Sequence, residues 1–266
     1  MLLEELVSLG LTLDEAKKLA NSEAFHHKRK NSKELRDLFE NIATTYNSTF
    51  EKIKKNILSH PIFSAYNHKR VVREGVEVYG DEEKVKKAIL TNPSFAGLDH
   101  ERVVRDATKI YGDEEKVKKA IMRYPQFAGL DHERVIRQGV EIYGDENKVK
   151  KAILKHPVFS GLNHERVIRQ KTRIGRIIGL DYEEIRNYLL ENSVNAGYSY
   201  KRDLARIDVA RHINHLGIEI TPEIKEWFMK NCFCSPYSPK TRLRISHCSG
   251  ISEPDLFKKA KKRFTF

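Results

Sequence analysis

The chain has 266 residues, with 49 Lys plus Arg against 37 Asp plus Glu and a formal net charge of +12. Apolar residues make up 39%, enough for a core, so wholesale disorder is excluded; no stretch approaches about 18 apolar residues, so no membrane-spanning helix and no membrane partner are expected. Three cysteines, all within 232–248, exclude a disulfide scaffold, and the acidic opening Met1-Leu2-Leu3-Glu4-Glu5 lacks the flanks of a secretory signal, so a reduced, cytoplasmic location is the expectation.

Residues 1–48 read as degenerate capping helices, with Leu13 to Phe25 and Ser32 to Ala43 as an opening pair. A tandem repeat follows. Pro61, Pro93, Pro125 and Pro157 are spaced by 32 residues, as are Phe63, Phe95, Phe127 and Phe159, and His68, His100, His132 and His164. Four units result: 49–80, 81–112, 113–144 and 145–176. The second and third differ at only 9 of 32 positions, which a tandem duplication explains.

One unit carries the local physics. Asp81 is placed to N-cap a helix, with Glu82 and Glu83 facing the positive end of its dipole. Val85, Ala88 and Ile89 form an apolar stripe, and Pro93 stops the helix. Phe95-Ala96-Gly97-Leu98 is a turn expected to drop Phe95 and Leu98 into the core. Asp99 caps a second helix whose stripe is Val103, Val104, Ala107, Ile110 and Tyr111, and Gly112 ends it. A two-helix unit cannot bury its stripe alone and must stack on neighbours. The expected fold is therefore all-α, a right-handed or curved α-solenoid of about five to six two-helix repeats with period 32.

Divergent repeats continue over 177–229. Ile185, Leu189, Leu190, Asn192, Gly197 and Arg202 stand 100 residues after Val85, Ile89, Leu90, Asn92, Gly97 and Arg102. That is three periods plus four, so about one helical turn is inserted near 171–183. Ile224, Trp227, Phe228 and Met229 mark a first helix of a sixth unit, and 230–266 is a basic C-terminal segment.

The pattern Ile89-Leu90, Pro93, Phe95, Leu98, Val103, Val104 and Tyr111-Gly112, with its 32-residue copies, resembles the mitochondrial transcription termination factor repeat. The resemblance covers roughly 49–217. It implies a curved helical solenoid whose basic concave face binds nucleic acid, without enzymatic activity, and a DNA target with a role in transcription.

Charge is unevenly distributed. The four repeats carry +3, 0, 0 and +6, and 230–266 carries +7. Such blocks form a footprint for phosphates. Arg70, Arg102, Arg134 and Arg166 lie on one ledge of the second helices, joined by Arg202, and Arg73, Arg105, Arg137 and Arg169 lie one turn along. In the neutral units the pairs Glu101–Arg105, Glu133–Arg137, Glu165–Arg169, Glu82–Lys86 and Glu83–Lys87 are expected to hold these cations as surface ion pairs. The expected nucleic-acid contacts are Lys148, Lys155, Arg166, Arg169, Lys171, Arg173, Arg176 and Arg202, and in the tail Lys240, Arg242, Arg244, Lys258, Lys259, Lys261, Lys262 and Arg263. Phe264 and Phe266 are there to stack on bases or pack on protein.

Catalytic signatures are missing: no phosphate loop, dinucleotide glycine fingerprint or nucleophile elbow occurs. Glu82-Glu83 and Glu183-Glu184 read as first-turn dipole partners. Cys232, Cys234, His247 and Cys248 form the one metal-like cluster, but their spacing is not that of a usual zinc knuckle. Small apolar packing of the thiols is the default, with a disulfide from Cys248 to Cys232 or Cys234 as the alternative. The histidine ladder is spaced about 10 Å apart, too far for one metal, which leaves it a structural or exposed role and some positive charge for a phosphate surface. No cofactor is expected.

The sequence thus predicts a non-enzymatic, RNA-binding helical repeat that docks on structured RNA or a ribonucleoprotein such as a ribosomal subunit and modulates translation. Double-stranded DNA binding in transcription and a protein–protein scaffold are the alternatives, with a homodimer through the neutral central units. Gln occurs only at 126, 138 and 170 while Lys and Glu abound, a thermophilic bias.

Overall fold

A computed structural model of the chain describes residues 2–26, 32–177, 179–193 and 196. These form an all-α helical repeat of the solenoid type, with no strand among the described residues. The chain divides into two compact units, Met1–His132 and Glu133–Phe266.

The first unit opens with α1 (Leu2–Ser8), α2 (Leu13–Ala20), α3 (Glu23–His26) and α4 (Ser32–Thr45). α1 has no counterpart in the expected opening pair, and the expected helix from Leu13 to Phe25 is two, α2 and α3; Asn21 and Ser22 separate them, with both backbone N–H groups bonded back to the last turn of α2. Helix pairs follow as α5 (Phe50–Ser59) with α6 (His68–Tyr79), then α7 (Glu82–Thr91) with α8 (His100–Tyr111), then α9 (Glu114–Arg123). Like packs on like: α6 lies against α8 and α7 against α9.

Each local signal is visible as geometry. Asp81 and Asp113 accept hydrogen bonds from the backbone N–H three residues on, at 3.0 Å each, as do Asn67 at 3.2 Å and Asp99 at 3.0 Å. These caps satisfy donors that the first helical turn leaves open. The prolines each open a 3-10 turn, at Pro61–Ala65, Pro93–Gly97 and Pro125–Gly129 in this unit. Gly80 and Gly112 end the second helices at φ of +78°, a left-handed conformation that glycine reaches without strain. Phe95 is buried as expected and Ala96 beside it is buried too, but Leu98, Val103 and Ile110 are only half-buried because they sit at the edge of the stripe.

The histidines are core residues. His68 lies between Tyr46 and Phe63, His100 between Tyr79 and Phe95, and His132 between Tyr111 and Phe127, with Tyr–His ring centroids 5.3–5.5 Å apart. The tyrosine hydroxyl meets Nδ1 of His68 at 2.9 Å and of His132 at 3.2 Å. Buried Asn56 donates from Nδ2 to the Leu90 carbonyl at 3.1 Å, a polar link from one repeat to the next.

The second unit contains α10 (His132–Tyr143, beginning on the boundary residue), α11 (Glu146–Lys155), α12 (His164–Ile177) and α13 (Tyr182–Glu191), with a 3-10 turn at Pro157–Gly161. Here His164 packs between Tyr143 and Phe159, with the Tyr143 hydroxyl 3.4 Å from Nδ1. The expected first helix of the divergent repeat is α13: Asp181 and Glu184 form its capping box, and Ile185, Leu189 and Leu190 are buried. Ser193 donates from Oγ to the Ala152 carbonyl at 3.1 Å, and Lys155 donates to the Glu191 carbonyl at 3.1 Å, tying α11 to α13. The expected sixth unit and basic tail lie outside the described residues.

Candidate nucleic-acid interface

The candidate interface is one face of α12. At 3.6 residues per turn, Arg166, Arg169, Arg173 and Arg176 fall within an arc of about 80°. Val167, Ile168, Lys171 and Gly175 fall on the opposite side and are buried. All four arginines are exposed, and none of their guanidinium groups is in an ion pair among the described residues. The row runs about 15 Å along the helix axis, at 1.5 Å per residue over ten residues.

Three of the four matching positions in the first unit are neutralised, while Arg102 is exposed and in no ion pair among the described residues. Arg70 pairs with Glu74 at 3.0 Å, Arg73 with Glu77 at 4.0 Å, and Arg105 approaches Asp106 at 3.9 Å. Stepping 32 residues at a time, the Glu74 position becomes Asp106, Gln138 and Gln170, and the Glu77 position becomes Lys109, Glu141 and Arg173. Acidic partners thus disappear along the chain until α12 has none at either place. A groove of about 620 Å³ in the first unit is lined by Arg70 but also by Glu74, Glu77, Asp99 and Glu101, an acidic setting that repels phosphate.

Three expectations need correction. Lys171 is not at the surface: it is 5% exposed and lies on the core side of α12, so it cannot reach an external phosphate. The expected pairs Glu101–Arg105, Glu133–Arg137 and Glu165–Arg169 do not form; Glu82–Lys86 does, at 2.7 Å, while Glu83 lies 3.8 Å from Lys86 in place of Lys87. Spacing of i to i+4 brings side chains near each other, but long exposed arms choose among several partners and water. His100, His132 and His164 add no positive charge near neutral pH, because burial pulls the imidazoles of His132 and His164 down to about 4 and lowers that of His100.

Of the remaining expected contacts, Lys148 on α11 is exposed with its ammonium in no ion pair among the described residues, and Lys155 is exposed but bonded to the Glu191 carbonyl. Arg137 on α10, equivalent to Arg169, is also exposed and in no ion pair among the described residues; the arginine ladder includes it, but its expected pair with Glu133 argued against a phosphate contact. Arg202, Lys240, Arg242, Arg244, Lys258, Lys259, Lys261, Lys262 and Arg263 lie outside the described residues, as do Cys232, Cys234, His247 and Cys248. No group of three or more metal-binding side chains occurs among the described residues.

No protein-family model and no curated protein matches the chain.

Proposed function

We propose that this protein is a non-enzymatic helical repeat that docks on structured RNA or a ribonucleoprotein, such as a ribosomal subunit, and modulates translation. The observation that carries the reading is the row of four exposed, unpaired arginines on α12. Guanidinium forks bind phosphate oxygens bidentately and keep their charge at any physiological pH. The basic sequence of 230–266 adds a second cationic block. Separate blocks suit a folded RNA, whose phosphates come at irregular spacing and angle. Double-stranded DNA is the second reading, favoured by the resemblance of the 32-residue unit to the mitochondrial transcription termination factor repeat.

The test is binding of ribosomal RNA and of duplex DNA across a salt series. Four phosphate contacts on a duplex give a salt slope of about −3.6, or roughly a 150-fold loss of affinity between about 50 and 200 mM salt. Replacing Arg166, Arg169, Arg173 and Arg176 by Gln removes that share. Replacing the paired Arg70 and Arg73 by Gln leaves binding within about twofold. Equal loss from the two sets, or no loss from the first, refutes the assignment of the surface. Competition between the two nucleic acids decides which is the ligand.

A further inference from the structure

We infer that a one-turn insertion inside α12 builds the cationic row, and that the row therefore takes a continuous phosphodiester chain and not an isolated phosphate. This rests on the reading of α12 as a phosphate-binding face.

The insertion is located by a packing register. A close approach between the second helix of one pair and the first helix of the next recurs with a ten-residue step. A Cβ on Gly75 would stand 2.7 Å from Val85 Cγ1, and one on Gly139 would stand 2.6 Å from Val149 Cγ1. In the intervening repeat, Ala107 and Val117 hold these places, both buried. In the fourth repeat the matching pair is Gly175 and Ile185, where an added Cβ would collide with Ile185 Cδ1. Strict periodicity puts that contact at 171 and 181, so it has moved by four residues. Val167 and Ile168 keep the core-side places of half-buried Val135 and buried Ile136 at exact 32-residue copies. The extra turn therefore lies between Ile168 and Gly175, inside the helix and at or before the start of the expected 171–183.

The consequence for charge is direct. An ordinary second helix ends at Tyr79, Tyr111 or Tyr143, and the position ten residues after its first arginine is Gly80, Gly112 or Gly144. There is room for two arginines about 4.5 Å apart along the axis. The seventh position after the first arginine is Glu77, Lys109 or Glu141. In α12 the added turn carries the helix on, and these places hold Arg173 and Arg176. Two arginines become four, and about 4.5 Å becomes about 15 Å. An isolated phosphate can engage one or two forks of such a row. Only consecutive phosphates fill it, and each releases further counterions.

The experiment uses the full chain, a deletion of residues 171–174, and the double variant Arg173→Gln/Arg176→Gln. The deletion restores the 32-residue step and keeps Gly175 opposite Ile185. Probes are oligouridylates from a dinucleotide up to about ten nucleotides, with inorganic phosphate as competitor. For the unaltered protein, affinity rises with length and phosphate competes poorly. Both variants keep their helical circular dichroism and lose about 1.4 from the salt slope, the share of two phosphates on a single strand. A slope unchanged in both variants overturns the inference, as does phosphate competing as well as the longest oligomer. If the deletion does not fold, the double variant decides alone. Failure of the unaltered protein to bind any oligomer instead sinks the underlying reading of α12.

Discussion

Acid should unfold this protein in a window set by its buried histidines. His132 and His164 each lie between two aromatic rings, and their Nε2 atoms have no hydrogen-bond partner among the described residues. Burial holds both imidazoles near 4, against 6.5 in the unfolded chain; the Asp131 carboxylate beside His132 opposes that fall without cancelling it. Between these values the unfolded chain binds protons that the folded one refuses, so stability falls as pH falls. It is constant above about pH 7, declines from about 6.5, and levels off near 4 once the folded imidazoles also protonate. At pH 5 the loss is about 2 kcal/mol for each imidazole, or about 4 kcal/mol for the pair. The cap residues Asp81 and Asp113 do not confuse the window, because their bonds to Lys84 and Lys116 lower their values. The assay is urea unfolding followed by far-ultraviolet circular dichroism at pH 7 and pH 5, with and without His132→Asn and His164→Asn. Each substitution destabilises at pH 7 but removes its share of the pH dependence. Equal unfolding free energies at the two pH values in the unaltered protein would refute the argument.

Other substitutions read the packing. Phe127→Ala should cost about 3–5 kcal/mol by urea unfolding, since Phe127 is fully buried against Tyr111 and His132. Gly139→Ala should cost about 1–3 kcal/mol, because its Cβ would stand 2.6 Å from Val149 Cγ1, and Gly139→Val should cost more; an Ala variant as stable as the unaltered protein would refute the close approach. Asn67→Ala should lower the thermal midpoint by an amount equivalent to about 1 kcal/mol by leaving the Arg70 N–H uncapped, and no change would show that water caps α6 equally well.

Much of the fold is written in the chain because its signals are local. A carboxylate or amide before each helix, a proline after the first helix of each pair and a glycine after the second act within a few residues of themselves, and Asp81, Pro93 and Gly112 do in the structure what their chemistry dictates. The 32-residue period then multiplies each local reading. The candidate interface was half legible: the charge block was visible, and four of its arginines do share an open face. Burial and pairing were not legible, because they depend on which side of a helix meets its neighbour. Lys171 reads as one more surface cation, yet it stands 32 residues after buried Gly139 and lies on the core side of α12. The histidines read as a ladder of exposed or structural groups until Tyr and Phe from separate elements close over them. Glu101 and Arg105 stand at the spacing of an ion pair, yet Arg105 lies near Asp106 instead. Sequence spacing determines which residues can meet; only the packed helices, by removing water from one face and leaving it on the other, decide which of them do.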